Sequence, residues 1–100
     1  MKIQKQREIV IEFERVQLIR KRAKTQMINC RTCRRETDFI LLIEAAKLFS
    51  THTEQLFQFI KAHGCHFEID ASGEIFICLV SLLTQMKGKT NISRIKMIGE

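Results

Sequence analysis

Residues 65–78 read Cys65-His66-Phe67-Glu68-Ile69-Asp70-Ala71-Ser72-Gly73-Glu74-Ile75-Phe76-Ile77-Cys78. Two short runs rich in Phe and Ile flank a turn that closes on glycine. That pattern predicts a β-hairpin, with Gly73 in the left-handed position of a three-residue loop. A loop of Ala71, Ser72 and Gly73 sets Asp70 opposite Glu74 and therefore His66 opposite Cys78. Side chains alternate along a strand, so His66 and Cys78 share one face while Phe67, Ile69, Ile75 and Ile77 share the other, the apolar side that covers the helices. A two- or four-residue loop would instead align Cys65 with Cys78. The first register sorts the hydrophobic residues correctly, and Cys65 is then a small core residue.

Upstream, Cys30-Arg31-Thr32-Cys33 has the spacing of a metal knuckle, because two intervening residues bring both sulfurs to the same side of a turn. Alone it is half a site. The hairpin supplies the other half, giving Cys30, Cys33, His66 and Cys78. Three sulfurs and one imidazole with no open position predict a structural Zn2+. In a reducing compartment four cysteines point to metal ligands or plain buried thiols more than to disulfides.

Between knuckle and hairpin, Leu42, Ala45, Ala46 and Phe49 recur at three- and four-residue spacing, which predicts an amphipathic helix from about Leu42. Ser50, Thr51 and His52 break it. Thr53 is the expected N-cap of a second helix that buries Leu56, Phe57, Phe59 and Ile60, and Gly64 supplies its stop. Leu79 to Met86 reads as a short final helix, and 87–100 as a tail or partner-dependent strand. Ile43-Glu44-Ala45-Ala46-Lys47-Leu48-Phe49, a short turn, Thr53 to Ile60, Gly64 and a following strand resemble the helix-turn-helix of excisionase and MerR-type DNA-binding domains, over residues 39–83. The resemblance implies a first helix packed on a recognition helix, with a β-hairpin wing after it. It also implies nucleic-acid contact from exposed positions of the second helix, His52, Gln55, Gln58 and Lys61.

At the N-terminal end Ile9, Ile11 and Phe13 alternate with Glu8, Val10 and Glu12, the period of a half-buried strand; Val16 and Leu18 resume the alternation after a turn at Glu14 and Arg15, so a hairpin is expected, with a helix as the alternative that a stretch free of Pro and Gly leaves open. The net charge of +6 is uneven. Residues 1–35 hold eleven Lys/Arg against three Glu, while 36–100 hold six against eight Asp/Glu. A polyanion should therefore meet the first third of the chain, through Arg20, Lys21, Arg22, Lys24, Arg31, Arg34 and Arg35, which would form one continuous patch if the ion folds the knuckle beside the hairpin.

One hundred residues make one domain whose core is modest, since a chain of this size buries only about 60 to 65% of its unfolded surface and profits from a staple. The sequence thus predicts an α+β fold: a zinc-braced winged helix-turn-helix-like domain over 1–86, with a basic hairpin and knuckle in 1–37, the helix-turn-helix and wing in 38–86, and a tail over 87–100. No apolar run approaches the roughly 18 residues of a membrane span and the N-terminus is too charged for a signal peptide, so a cytoplasmic protein is expected. No nucleophile pattern, Gly-rich phosphate loop or open-site metal motif is present, so neither an enzyme nor a small-molecule substrate is expected. The expected function is that of a small DNA-binding protein, a transcriptional regulator or phage- or plasmid-type accessory factor, able to homodimerise through a paired N-terminal strand or the tail. The alternative is a protein-interaction adaptor that keeps the scaffold without binding DNA.

Overall fold

The computed structural model describes residues 5–14, 17–86 and 92–98. Chain order is β1 (Lys5–Glu14), β2 (Leu18–Cys30), β3 (Arg35–Leu41), α1 (Leu42–Leu48), α2 (Thr53–Ala62), β4 (Phe67–Ile69), β5 (Ile75–Cys78), α3 (Leu79–Met86) and β6 (Ile92–Ile98). The strands form one sheet in the order β4-β5-β3-β2-β1-β6, with every pairing antiparallel.

This corrects the helix-turn-helix-centred architecture expected from the sequence. The scaffold is the six-stranded sheet, and the helices are short elements laid on it. Helix α1 has 7 residues and α2 has 10, too little surface to enclose a core between themselves. Nor is the β4–β5 hairpin a protruding wing: β5 pairs with β3 through Phe39↔Cys78, Ile40↔Ile77 and Leu41↔Phe76, so the hairpin is built into the sheet. Residues 92–98, assigned from the sequence to a tail or partner-dependent strand, pair with β1 of the same chain. The expected turn at Glu14 and Arg15, with Val16 after it, falls partly outside the described residues, as do 87–91.

Strand alternation gives the sheet two unlike faces. On one, Ile9, Ile11, Phe13, Ala23, Ile40 and Ile77 are buried against Ala45, Leu48, Leu56, Ile60, Leu79 and Leu82 of the helices; this is the main core. The opposite face carries no helix among the described residues. Its inward-lying apolar side chains, Ile28, Phe39 and Phe76, join Cys30 and Cys78 in a small second cluster at the β2–β3–β5 end. The first helix begins at Leu42 as expected, and Ser50, with φ 54°, turns the chain out of it. The second starts one residue earlier in its cap than expected, with His52 rather than Thr53 in the N-cap position. Gly64 ends it at φ 68°.

Candidate metal centre

The hairpin register is the one that a three-residue loop requires. Phe67, Glu68 and Ile69 face Ile77, Phe76 and Ile75. Beyond this ladder the Asp70 N–H donates to the Glu74 carbonyl at 3.0 Å, and the Cys78 N–H to that of His66 at 2.9 Å. The Asp70 carboxylate accepts the N–H groups of Ser72 and Glu74, both at 2.9 Å, and Gly73 sits at φ 85°. His66 and Cys78 therefore lie side by side on the helix-free face. Cys65, one residue out of phase, is buried in the main core with its thiol directed at the Ser81 carbonyl.

The knuckle meets them from the other side. Residues 31–34 form a tight turn between β2 and β3, closed by the Arg34 N–H on the Cys30 carbonyl at 2.7 Å. The Cys33 N–H donates to Cys30 Sγ at 3.4 Å, and Arg34 takes a left-handed φ of 61° to let the chain reverse. Because β3 lies between β2 and β5, the pairings Cys30↔Arg35 and Phe39↔Cys78 carry the knuckle onto the same face as His66 and Cys78.

The ligand atoms of Cys30, Cys33, His66 and Cys78 all lie within 4.8 Å of one another. His66 Nδ1 is 3.5 Å from Cys30 Sγ and 3.5 Å from Cys33 Sγ, while Cys33 Sγ and Cys78 Sγ are 3.9 Å apart. A tetrahedral ion with metal–sulfur bonds of about 2.3 Å and a metal–nitrogen bond of about 2.0 Å sets edges of about 3.8 Å between sulfurs and about 3.5 Å between sulfur and nitrogen. These three distances match those edges, and the four side chains stand close enough to bind one metal ion. All four cysteines are free thiols.

Two residues that the sequence reading missed complete the surroundings. Buried Thr37 brings its hydroxyl to 3.5 Å from Cys78 Sγ. Ser81 donates its hydroxyl to the Cys78 carbonyl at 2.9 Å, accepts the His66 N–H at 3.0 Å, and offers its own backbone N–H to Cys78 Sγ. Cys78 stands just before α3 and Ser81 is the third residue of that helix, so the sulfur caps the helix as an N-cap oxygen would. A Cys directly before an apolar helix, with Ser three residues on, is the sequence signal that could have shown this. Burial raises the Cys78 thiol, but hydrogen bonds from Thr37, the Ser81 backbone, Cys33 and Cys30 outweigh it and bring the thiol below its ordinary value. Burial, then the hydrogen bond to Cys30 and the neighbouring Cys78, push Cys33 the other way, up to about 11. Cys78 is thus readier to ionise than Cys33.

The residues expected to meet nucleic acid are scattered by the same alternation. Arg20, Arg22 and Lys24 are exposed on the helix-free face, whereas Lys21 points to the helix side and donates to the Lys47 carbonyl at 3.3 Å and to the Ser50 hydroxyl. Arg31, Arg34 and Arg35 are exposed at the knuckle. Arg31 lies seven positions beyond Lys24, roughly 23 Å along the strand direction, so one continuous patch becomes two. His52, Gln55, Gln58 and Lys61 are exposed on α2, across the sheet from Arg20 and Arg22, with Lys61 Nζ 4.9 Å from the centre of the Phe57 ring. Arg94 and Lys96 of β6, absent from the expected set, lie on the face of Arg20 and Arg22. Their alternation with Ile95 and Met97 was the available signal.

No protein-family model matches the chain, and no curated protein or solved structure matches it. Among the described residues no helix is long and apolar enough to cross a membrane.

Proposed function

We propose that this chain is a small non-catalytic DNA-binding protein, braced by a structural zinc ion, that grips the phosphate backbone with the helix-free face of its sheet. Zinc is the ion that a Cys3His set at tetrahedral spacing suits best, and a filled four-ligand shell leaves no position for a substrate. Its work here is to hold the arginine knuckle against the β4–β5 hairpin.

The observation that carries the reading is the distribution of charge over the open face. Arg20, Arg22 and Lys24 of β2 and Arg94 and Lys96 of β6 project from it, with Glu8 and Glu12 of β1 between them. The knuckle arginines form a second basic patch at the far end of this face. From Arg20 to Arg31 is roughly 36 Å along β2, about one turn of duplex. Phe39 and Phe76, the aromatic side chains of this face, are buried to 1% and 5% exposure and offer no ring for stacking, which favours the phosphates of a duplex over unstacked bases. The exposed face of α2, with no cluster of Arg or Lys, is left out of the interface.

The test is fluorescence anisotropy of a short labelled duplex of random sequence, titrated with the zinc-loaded protein over a range of salt concentrations. The expected result is retention at low salt, with log affinity falling against log salt at a slope of about −0.9 per phosphate contacted. Reversal of Arg20, Arg22 and Lys24 to Glu should abolish retention. If the wild type is not retained at low salt, or the triple reversal changes nothing, the reading fails. Stronger retention of an RNA duplex of the same sequence would move it to RNA.

A further inference from the structure

The open face has a constructed corner. The register of β1 with its two neighbours puts Val10 between Arg22 and Lys96, and Glu12 between Arg20 and Arg94. With strands about 4.8 Å apart, each row holds its two cations about 10 Å apart, and the rows are about 6.7 Å from each other. Four cations thus frame a depression of about 250 Å3 floored by Val10 and Glu12.

Glu12 is the unusual member. It is 9% exposed, yet it lies on the solvent side of the sheet. Arg20 reaches it with Nε at 3.0 Å and Nη2 at 2.8 Å, both on Oε2, while Arg94 Nε lies 4.0 Å from Oε1. The two arginine side chains remain 64% and 71% exposed, so both stay open to a ligand from solvent. A shift in the β1–β6 pairing falls between Glu12 and Phe13, where Ser93 donates its hydroxyl to the Glu12 carbonyl at 3.2 Å. Such irregularities re-aim side chains beside sites. A carboxylate this buried needs a cation to offset its desolvation, and Arg20 supplies one at 2.8 Å; a second, largely exposed arginine adds at most about 1 kcal/mol, so fold stability alone gives little reason for Arg94 to stand beside it. What the shared carboxylate does achieve is to keep two like charges side by side, each with N–H groups left open to solvent, as oxyanion recognition requires.

We infer that Glu12 is a positioning residue for a phosphate clamp made of Arg20 and Arg94, with Arg22 and Lys96 at its rim, whose ligand is a phosphodiester of the DNA backbone. The inference rests on the DNA-binding reading and adds to it a site where geometry, not only charge, sets affinity. Glu12 touches no phosphate; it holds the two arginines that do.

Removing a negative charge from a DNA-binding face distinguishes the two effects by sign. The variants are Glu12→Gln, Arg20→Lys and Arg94→Lys, each zinc-loaded, measured by the same salt-dependent anisotropy with thermal melts alongside. If charge alone matters, Glu12→Gln binds more tightly than wild type. If Glu12 positions the clamp, it binds about five- to tenfold more weakly and its salt slope flattens by about 0.9, the loss of one phosphate contact. Arg94→Lys, an exposed change that keeps the charge, should weaken binding by a similar factor through loss of the planar fork. Glu12→Gln binding as tightly as wild type or tighter, or Arg94→Lys binding unchanged, overturns the clamp while leaving the DNA-binding reading intact. Wild type that is not retained overturns both. Inorganic phosphate displacing the duplex far better than chloride at equal ionic strength would reassign the corner to free phosphate and overturn the clamp on DNA.

Discussion

The two ends of the sheet hold together by different means. At the β1–β2–β6 end, strands of 10, 13 and 7 residues pair over long ladders and cover the main core, with ion pairs such as Arg22–Glu8 at 2.8 Å on the open side. At the β3–β5–β4 end, β4 has 3 residues and β5 has 4, and the second cluster is small. Strands that short make few ladder bonds, so a cross-link between knuckle and hairpin matters most there. One end should be stable without help, and the other only with its ion.

Metal removal is the largest expected effect. Structural zinc sites contribute their binding free energy to folding, so chelation should lower stability by on the order of 5 kcal/mol or more, with proton-exchange protection lost in β4, β5 and the knuckle before β1 and β2. Chelation that leaves the melt and the exchange pattern unchanged would refute the contrast between the ends. pH sharpens it, because thiol ligands must give up protons before they bind. Apparent metal affinity should therefore rise with pH across neutrality, and Cys33, held up to about 11, resists ionisation more than Cys78 does. In the metal-free protein the sign reverses: a thiol raised from 9.0 contributes stability that is present below pH 9.0 and is lost as pH climbs towards about 11. Metal titrations and melts over that range would check both signs.

Next comes the main core. Ile11 is fully buried against the helices, and Ile11→Ala should cost about 3 kcal/mol by cavity formation. Metal affinity of the folded variant should not change, because Ile11 lies on the other face of the sheet from the ligands. A parallel fall in metal affinity, measured by chelator competition where the variant is folded, would show that the two ends form one cooperative unit.

How much of this the sequence discloses follows from how local each signal is. The hairpin, its register and the gathering of Cys30, Cys33, His66 and Cys78 are legible, because a glycine-closed loop fixes which residue lies opposite Cys78 and a Cys-x-x-Cys spacing marks the knuckle. Cys65 is likewise separable from His66 by phase alone. Strand β3 is hidden because Phe39, Ile40 and Leu41 run straight into Leu42 and the helix, so no break marks the change of period. Strand β6 is hidden because its partner β1 lies some 80 residues away, as in Ile95 against Ile11. Without those two strands the helices look like the centre of the fold, and Arg94, Lys96 and the role of Glu12 cannot be placed at all.

Thr37→Val probes the site's surroundings at smaller scale. The hydroxyl beside Cys78 is replaced by a methyl of like shape, so the sulfur loses a hydrogen-bond partner and little packing. Loss of such an outer partner typically weakens metal binding about tenfold or more, and competition with a chromophoric chelator would read it. Unchanged affinity would mean that the Ser81 backbone N–H suffices to set the sulfur.

The smallest effect tests whether hairpin register, rather than ligand chemistry alone, builds the weak end. Gly73 sits at φ +85° with nothing within 4 Å of where a Cβ would stand, so Gly73→Ala meets backbone strain and no clash. That strain costs about 1 kcal/mol. Because the loop dictates which residue lies opposite Cys78, the cost should appear as a loss of metal affinity of about fivefold, the strained loop trading its native turn against a shifted register. Gly64→Ala is the control: its φ of +68° is equally left-handed and its Cβ position equally open, but it ends α2 and sets no strand pairing. It should lower the melting temperature by a similar amount while leaving metal affinity close to that of wild type. Equal losses of affinity in both variants would show that the hairpin loop holds no special control over the metal centre, and that the weak end answers to overall stability alone.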